Sequence, residues 1–570
     1  MLGNVGNVRV IVALTAAGLI LSLGSLLYFT SQNLVLAYPD AQSHLVIARR
    51  VCDSSSPGLA QLGAVWLPLT HLLSLPFVCS DVWSTTWWGN AALVVAIALF
   101  MTYTRYRLSQ RSAVLRILST IGVGFIGVLF ALSLHTNAYY TSGLGMVWIS
   151  MLAYVFAGVF IYLVVYEMTK DPWAGVVAWA VFATNPNILY LQSTAMTELP
   201  LYFGVMFSIY SFRRLVMEPS RLKWLFINGV AGVVMTTVRY EGWTLLAGEA
   251  AVYGFILLRN KLSISGILGH MLQWGYLAFA GIVGWIIWNT TIFSNPFEFQ
   301  TGSYAKPSNW VSGTEAGVGN LRIAAETYGY GMLHTIGIIL VLAIVALVIY
   351  VLTTRLKKES LAVLLPLGMV PFFVYMIFKG QRPMQALELE GTIYNARFAL
   401  IIILSVAPLI GFAVRKSPAL KVATIVLLGV STLVMLNSNV GIITLTEPLR
   451  AAESESNTSQ LEVAEFLREH YNNESMLMEN YGNEQVQFLS GINLQEIIYE
   501  GTYRLWQPVL NAPYANNIQW ILMRGSEGGS ISSLQPDLVW TTVREQQSFW
   551  DHYELVFKND FYEVYRLKAE

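Results

Sequence analysis

The stretch VRVIVALTAAGLILSLGSLLYFT, residues 8–30, decides the fold class. A single arginine opens it, and the rest is an unbroken apolar run of the roughly 20 residues that an α-helix needs to cross a bilayer. It has no small-residue cleavage site, so it reads as a retained helix rather than a removed signal peptide. Comparable runs follow at 86–104, 117–135, 146–166, 271–292, 331–353, 360–378, 398–414 and 420–438. Shorter apolar segments at 173–187, 199–213, 224–238 and 241–258 bring the expected number of crossings to about thirteen. Composition agrees: 55% of the 570 residues are hydrophobic and 12% charged, against about 25% charged in soluble domains. The expected class is an α-helical polytopic membrane protein.

Zero net charge conceals an asymmetry. Residues 1–440 hold 26 Lys and Arg against 15 Asp and Glu, whereas residues 441–570 hold 8 against 19. A boundary near 440 follows, between a multi-spanning domain (1–440) and a small acidic one (441–570) with mixed α/β signals. In the latter, Leu461–Leu467 has helical spacing, Trp520–Met523 resembles a strand, and 553–557 with 561–565 reads as a hairpin. The basic residues sit in short interhelical loops rather than in a tail or stripe, which argues against nucleic acid as a partner.

Those loops also give an orientation. Arg9, Arg105, Arg107, Arg111, Arg116, Lys170, Arg213, Arg214, Arg221, Lys223, Arg259, Lys261, Arg355, Lys357, Lys358, Arg415, Lys416 and Lys421 fall in alternate loops, 18 on one side against eight on the other before residue 441. The positive-inside rule makes the first set cytoplasmic. The N-terminus is then inside and the C-terminal domain outside the cytoplasm.

The sparse charges on the other side need a local reason, because ionisable groups at the membrane boundary are costly unless paired or used. In the first outer loop (about 31–85), YPDAQSHLVIARR spans residues 38–50. Asp40 follows a proline where a helix N-cap is expected, with His44 one turn later on the same face. It can cap an interfacial helix, leaving His44 on the surface, or serve as a general base. Cys52 and Cys79 share the loop, and two cysteines are too few to establish a framework. They read as two separate buried thiols in preference to one bridge.

Asn185 to Glu198 (NPNILYLQSTAMTE) breaks the helix at Pro186 and offers Tyr190, Gln192 and Glu198, with Thr197 placed to cap the next helix. A carboxylate beside so many hydroxyls and amides suggests a polar substrate pocket. Arg239 and Glu241, two apart, are not neighbours on a helix face and need not pair. Arg239 suits a phosphate and Glu241 a sugar hydroxyl, or the two form a plain interfacial ion pair. Glu249, deeper in its span, reads as a hydrogen-bonded or protonated core residue. Later loops add Tyr304, Lys379, Arg382, Tyr394, Asn395 and Arg397, whose guanidinium forks match phosphate oxygens or lipid headgroups.

This arrangement resembles the GT-C superfamily of membrane glycosyltransferases. The features are a long first outer loop with an aspartate soon after the first helix, the acidic Met196-Thr197-Glu198 motif, many crossings and an outside C-terminal domain. The run from Asp40-Ala41-Gln42-Ser43-His44-Leu45 through Pro57-Gly58 to Trp66-Leu67-Pro68 is similar to bacterial members of the protein-mannosyltransferase and aminoarabinose-transferase branch.

The resemblance implies transfer of a sugar, with inversion, from a polyprenyl-phosphate donor to a glycan, lipid or protein acceptor outside the cytoplasm of a bacterial cell. It implies Asp40 as base and Glu198 as its catalytic companion. Arg239, Lys379, Arg382 and Arg397 would face the donor phosphate, and His44, Tyr190, Gln192, Glu241, Tyr304, Tyr394 and Asn395 the substrates. The first loop has no Asp-x-Asp or Asp-Glu pair, as some relatives have, so a divalent metal stays open as a cofactor with no ligands assigned. Two rivals remain: a transporter or lipid flippase, and a non-catalytic assembly subunit.

Overall fold

A computed structural model describes residues 5–107, 127, 131–219, 221–305, 315–415, 417–438, 440–525 and 536–569. Most of the expected span 117–135, and the cations Arg111, Arg116 and Lys416, lie outside them. Among the described residues, five helices are long and apolar enough to cross a membrane, or up to seven if each of two bent pairs is one span. The chain is an integral membrane protein. The five are Val8–Ser31, Leu144–Thr169, Lys358–Phe378, Ala396–Val414 and Pro418–Asn437.

Their burial ranks them. Ala396–Val414 is 94% buried and forms the axis of the domain, while Val8–Ser31 and Pro418–Asn437 are 22% and 17% buried and present apolar faces outward. Around the axis pack Leu144–Thr169, Pro172–Ala183, Ile339–Thr354 and Glu198–Met217. Arg397 therefore enters the protein at the first turn of its most enclosed helix.

Two expected spans are not single helices. The run 331–353 divides into Leu321–Ile336 and Ile339–Thr354, bent by 103°. Gly337 lies at the break with φ 77°, and a Cβ there would overlap Ser431 Oγ. Left-handed backbone and close approach together require glycine. The run 271–292 is likewise broken at Phe279, where Ile264–Ala278 meets Ala280–Phe293 at 57°. The break at Asn185-Pro186 falls as the sequence requires. Asn185 Oδ1 accepts from the amides of Asn187 and Ile188, starting the short helix Pro186–Leu191.

The helix, strand and hairpin expected in the C-terminal region are present within a five-stranded sheet. The strands are β1 (Met476–Leu477), β2 (Ile497–Ile498), β3 (Trp520–Arg524), β4 (Tyr553–Lys558) and β5 (Tyr562–Leu567), in the order β2-β1-β3-β5-β4. β1 pairs parallel with β2 and β3, and β5 runs antiparallel between β3 and β4. The two-residue period of β3 sends Trp520 and Leu522 to one apolar layer with Val463 and Leu467. It sends Ile521 and Met523 to the other, with Val539 and Phe549.

Next to the sheet, Glu500 accepts the amides of Asn480 (2.8 Å) and Tyr481 (2.9 Å). Burial, and then Glu479, push Glu500 up to about 8, and the same two causes push Asp537 up to about 7. Both carboxyls keep protons in the folded chain that the unfolded chain has lost above about pH 4. Stability here therefore falls as pH rises from about 4 through 8. Amide exchange at Met476–Met478 in the full chain is expected to be faster at about pH 8.5 than at pH 5.5 after correction for intrinsic rates, and Glu500→Gln should flatten that difference.

Candidate active site around Arg397

The first loop folds as helix Pro39–Arg50, a 3-10 turn at Leu59–Leu62 and helix Leu69–Val78. The N-cap of the first helix is Tyr38, and no side chain caps it. Asp40 is thus not a capping residue. It lies in the first turn, and its Oδ2 accepts from Arg397 Nη2 at 2.5 Å across 357 residues of sequence. His44 is buried rather than on the surface. Its Nδ1 lies 3.0 Å from His71 Nε2, and its ring meets Trp66 edge-on at 4.4 Å. Burial, and then the neighbouring His71, hold His44 well below the usual histidine range; burial brings His71 down to about 4.

Cys52 and Cys79 are bonded, against the expectation of separate thiols. The helix Pro39–Arg50 runs straight into Cys52 and Leu69–Val78 into Cys79. Arg49 joins the same two ends, through Asp53 at 2.7 Å and Asp81 at 2.5 Å. Closing a segment of 27 residues should contribute about 3 kcal/mol. The pair Cys52→Ser and Cys79→Ser is expected to lower the unfolding temperature and to speed proteolysis between residues 52 and 79, read by mass spectrometry of the fragments.

Arg397 is the hub. Besides Asp40, its guanidinium meets Glu198 Oε1 at 3.1 Å and Glu447 Oε1 at 3.3 Å, and it lies 4.8 Å over the Tyr38 ring. Glu447 also accepts the amides of Asn395 (2.9 Å) and Ala396 (3.1 Å). That double acceptance depends on Asn395 standing in the left-handed region (φ 53°), where its side chain donates to Pro383 O at 3.0 Å. Burial pushes Glu447 up, opposed by Arg397. Glu447 comes from helix Ile443–Ala452, beyond the expected domain boundary.

A second guanidinium shares Glu198. Arg239 donates to Glu198 Oε1 (3.0 Å), Thr197 Oγ1 (2.9 Å) and Glu241 (3.0 Å). Thr197 stands at the N-cap of helix Glu198–Met217, as expected, but its hydroxyl accepts from Arg239 and makes no side-chain cap hydrogen bond. Arg239 and Glu241 do pair, one of the two readings their spacing left open, because Arg239 precedes helix Glu241–Arg259 and its side chain is free of helical geometry. Tyr38 Oη, His44 Nε2 and Glu198 Oε2 are buried without a protein hydrogen-bond partner. Buried polar atoms left open in one place are costly, and a polar ligand is one thing that satisfies them.

The remaining candidates divide. Tyr394 is 39% exposed, and burial with the nearby Asp40 carboxylate raises its phenol to about 12. Arg382 is half-buried, and its field reaches Tyr240 and Glu241. Lys379 is exposed over the rings of Tyr375 and Phe378. Tyr190 donates to Leu34 O at 3.1 Å, and Gln192 is taken up by Ser22, Ser25 and Ser193 between helices. Tyr304 rests on Tyr481 of the C-terminal domain, ring centroids 4.9 Å apart. Glu249 receives a hydrogen bond from Ser208 at 2.7 Å.

Metal binding can be tested on the same donors. Asp40, Glu198 and Glu447 each approach the Arg397 guanidinium rather than converge on a common point, and among the described residues no group of three or more His, Cys, Asp or Glu side chains is disposed to hold a metal ion. The donor set does not fit a bound cation.

Residues 120–299, which include Glu198 and Arg239, match the family model described as dolichyl-phosphate-mannose-protein mannosyltransferase. The whole fold is similar to that of ArnT from Cupriavidus metallidurans, solved bound to undecaprenyl phosphate, with a TM-score of 0.52 at 10% identity over 99% of this chain and 98% of that one. The family model thus matches about a third of the chain, and the fold of the whole chain is that of ArnT. The Archaeoglobus fulgidus oligosaccharyltransferase in its apo form scores 0.47 at 9% identity, covering 96% of this chain and 80% of that chain. AglB of the same organism, with an inhibitory peptide and dolichol-phosphate, scores 0.45 at 10% identity, covering 96% and 79%. No curated protein matches the sequence.

Proposed function

We propose that this protein is a GT-C glycosyltransferase, which moves a sugar from a polyprenyl-phosphate donor to an acceptor hydroxyl on the non-cytoplasmic side of the membrane, with inversion at the anomeric carbon. The observation that carries the reading is Arg397. A guanidinium suited to phosphate oxygens is buried at the start of the axial helix, and its most exposed partner is Asp40, whose side chain is 34% accessible. That the similarly folded ArnT was solved with undecaprenyl phosphate supports a lipid-phosphate donor.

In this scheme the donor phosphate takes the Arg397 fork and displaces Asp40. The freed carboxylate accepts the proton of the acceptor hydroxyl while that oxygen bonds to the anomeric carbon. The bond between that carbon and the phosphate oxygen breaks on the opposite face, and the polyprenyl phosphate leaves with the electron pair. Arg397, helped by Arg239, stabilises the charge that grows on the phosphate. Arg382 and Lys379 supply further positive charge from the next loop. Glu198 holds both guanidinia in register and offers its open Oε2 to a sugar hydroxyl. Tyr394 stands beside Asp40 as a hydroxyl donor to acceptor or sugar.

Charge clustered at helix ends distinguishes this reading from a transporter, whose ionisable groups belong near the midplane. Protein purified in mild detergent is expected to carry polyprenyl phosphate or its glycosylated form, identified by mass. With synthetic polyprenyl-phosphate sugars it should release free polyprenyl phosphate in step with acceptor glycosylation. Absence of both carrier and turnover across a panel of donors would overturn the proposal.

A further inference from the structure

A cavity of about 230 Å³ lies away from Arg397, between the C-terminal end of helix Glu241–Arg259 and the turn that follows helix Ile339–Thr354. Arg259, Lys357 and Lys358 converge on it, with Glu359 as its one carboxylate and Phe255 and Ile256 as apolar wall. Among the described residues none of the three cations is paired with a carboxylate, although the protein has ion pairs at many other boundary cations. Its volume is several times the roughly 30 Å³ occupied by one water.

The turn that presents the two lysines is built rather than loose. Arg355 and Leu356 are consecutive non-glycine residues in the left-handed region (φ 50° and 51°), a conformation that a chain adopts only when its surroundings impose it. Ser360 Oγ donates to Lys357 O at 2.6 Å, and Tyr350 Oη donates to Ser360 O at 2.7 Å. From beneath, Arg213, only 3% exposed, donates to the main-chain oxygen of Glu359. Two strained residues and three anchors thus hold Lys357 and Lys358 toward Arg259, where like charges repel unless an anion lies between them.

We infer that this cavity binds a phosphate oxyanion, and that its source is the headgroup of an anionic phospholipid. The three cations exceed Glu359 by two charges, enough for a phosphodiester. Phe255 and Leu258, 55% and 63% exposed, extend apolar surface from the cavity along the helix, where acyl chains would lie. This inference is independent of the transfer reaction.

Native mass spectrometry of the full chain, released from mixed phosphatidylglycerol and phosphatidylcholine micelles, tests it. The wild type is expected to retain one phosphatidylglycerol in about fivefold or greater preference over phosphatidylcholine. Lys357→Gln with Lys358→Gln should bring the ratio to parity, and Lys357→Arg with Lys358→Arg should keep the preference. Lys223→Gln, an exposed lysine outside the cavity, should leave it unchanged. A second arm adds inorganic phosphate to lipid-depleted protein. A rise in unfolding temperature that the Gln pair abolishes, without preference between the lipids, would keep the oxyanion site but assign it to soluble phosphate. Equal retention of the two lipids with no phosphate effect would overturn the site. So would a Gln pair that behaves as wild type, or a Lys223→Gln loss as large as that of the pair.

Discussion

Arg397→Ala is expected to reduce sugar transfer by roughly three orders of magnitude or more, the scale associated with losing a charge-stabilising donor to the departing group. The effect on the fold should be almost as large. Asp40, Glu198 and Glu447 would each lose this counter-charge, the last two at 3% and 4% side-chain exposure, and breaking a buried ion pair costs about 3–5 kcal/mol. Arg397→Lys separates the two consequences. An ammonium keeps the charge balance but reaches fewer carboxylates and cannot grip a phosphate with a fork. The lysine variant should therefore recover most of the unfolding temperature and remain down by about a hundredfold in turnover. Steady-state transfer and thermal unfolding on the same preparations decide it. A folded Arg397→Ala protein with near-normal transfer would remove Arg397 from the chemistry.

Much of the scaffold could be read directly, because bilayer crossing needs only length and apolarity. The Asn185-Pro186 break and the C-terminal hairpin were equally open to local reading, since caps and two-residue alternation act within a few positions. What escaped was governed by contacts far apart in the chain. The 103° bend at Gly337 depends on the close approach of Ser431, which no window around residue 337 contains. Glu447 looks like an ordinary acid in an acidic region, and becomes part of the site only because Asn395 adopts a left-handed conformation and turns two amides toward it.

Asp40 and Arg397 were each visible as a charge that needed a reason at the membrane boundary. Their 2.5 Å contact was not. The reading of Asp40 as a cap failed by two positions, since Pro39 already stands inside the helix and leaves the N-cap to Tyr38. The pairing of Arg239 with Glu241 was one of two readings left open, and what decides it is that Arg239 stands before the helix that Glu241 begins. A glutamine bonded to serines between helices, as Gln192 is, has the same sequence signature as one facing a substrate.

Asp40→Asn provides the sharper test of mechanism, because it removes a charge and leaves shape nearly intact. Asp40 is the most accessible of the three carboxylates around Arg397, at 34% against 3% and 4% for Glu198 and Glu447. Its loss should therefore lower stability by no more than about 1 kcal/mol, as for a partly solvated pair. A general base contributes about 10²–10⁴-fold, and kcat is expected to fall within that range. The donor KM should stay level or fall, because Arg397 loses a competitor for the phosphate. If Asp40 served only to position Arg397, its removal would instead raise the donor KM and spare kcat. Glu447→Gln is expected to give that contrasting pattern, because Glu447 touches the same guanidinium with only 4% of its side chain exposed. A folded Asp40→Asn protein with undiminished kcat would leave Arg397 as a phosphate anchor and require another base.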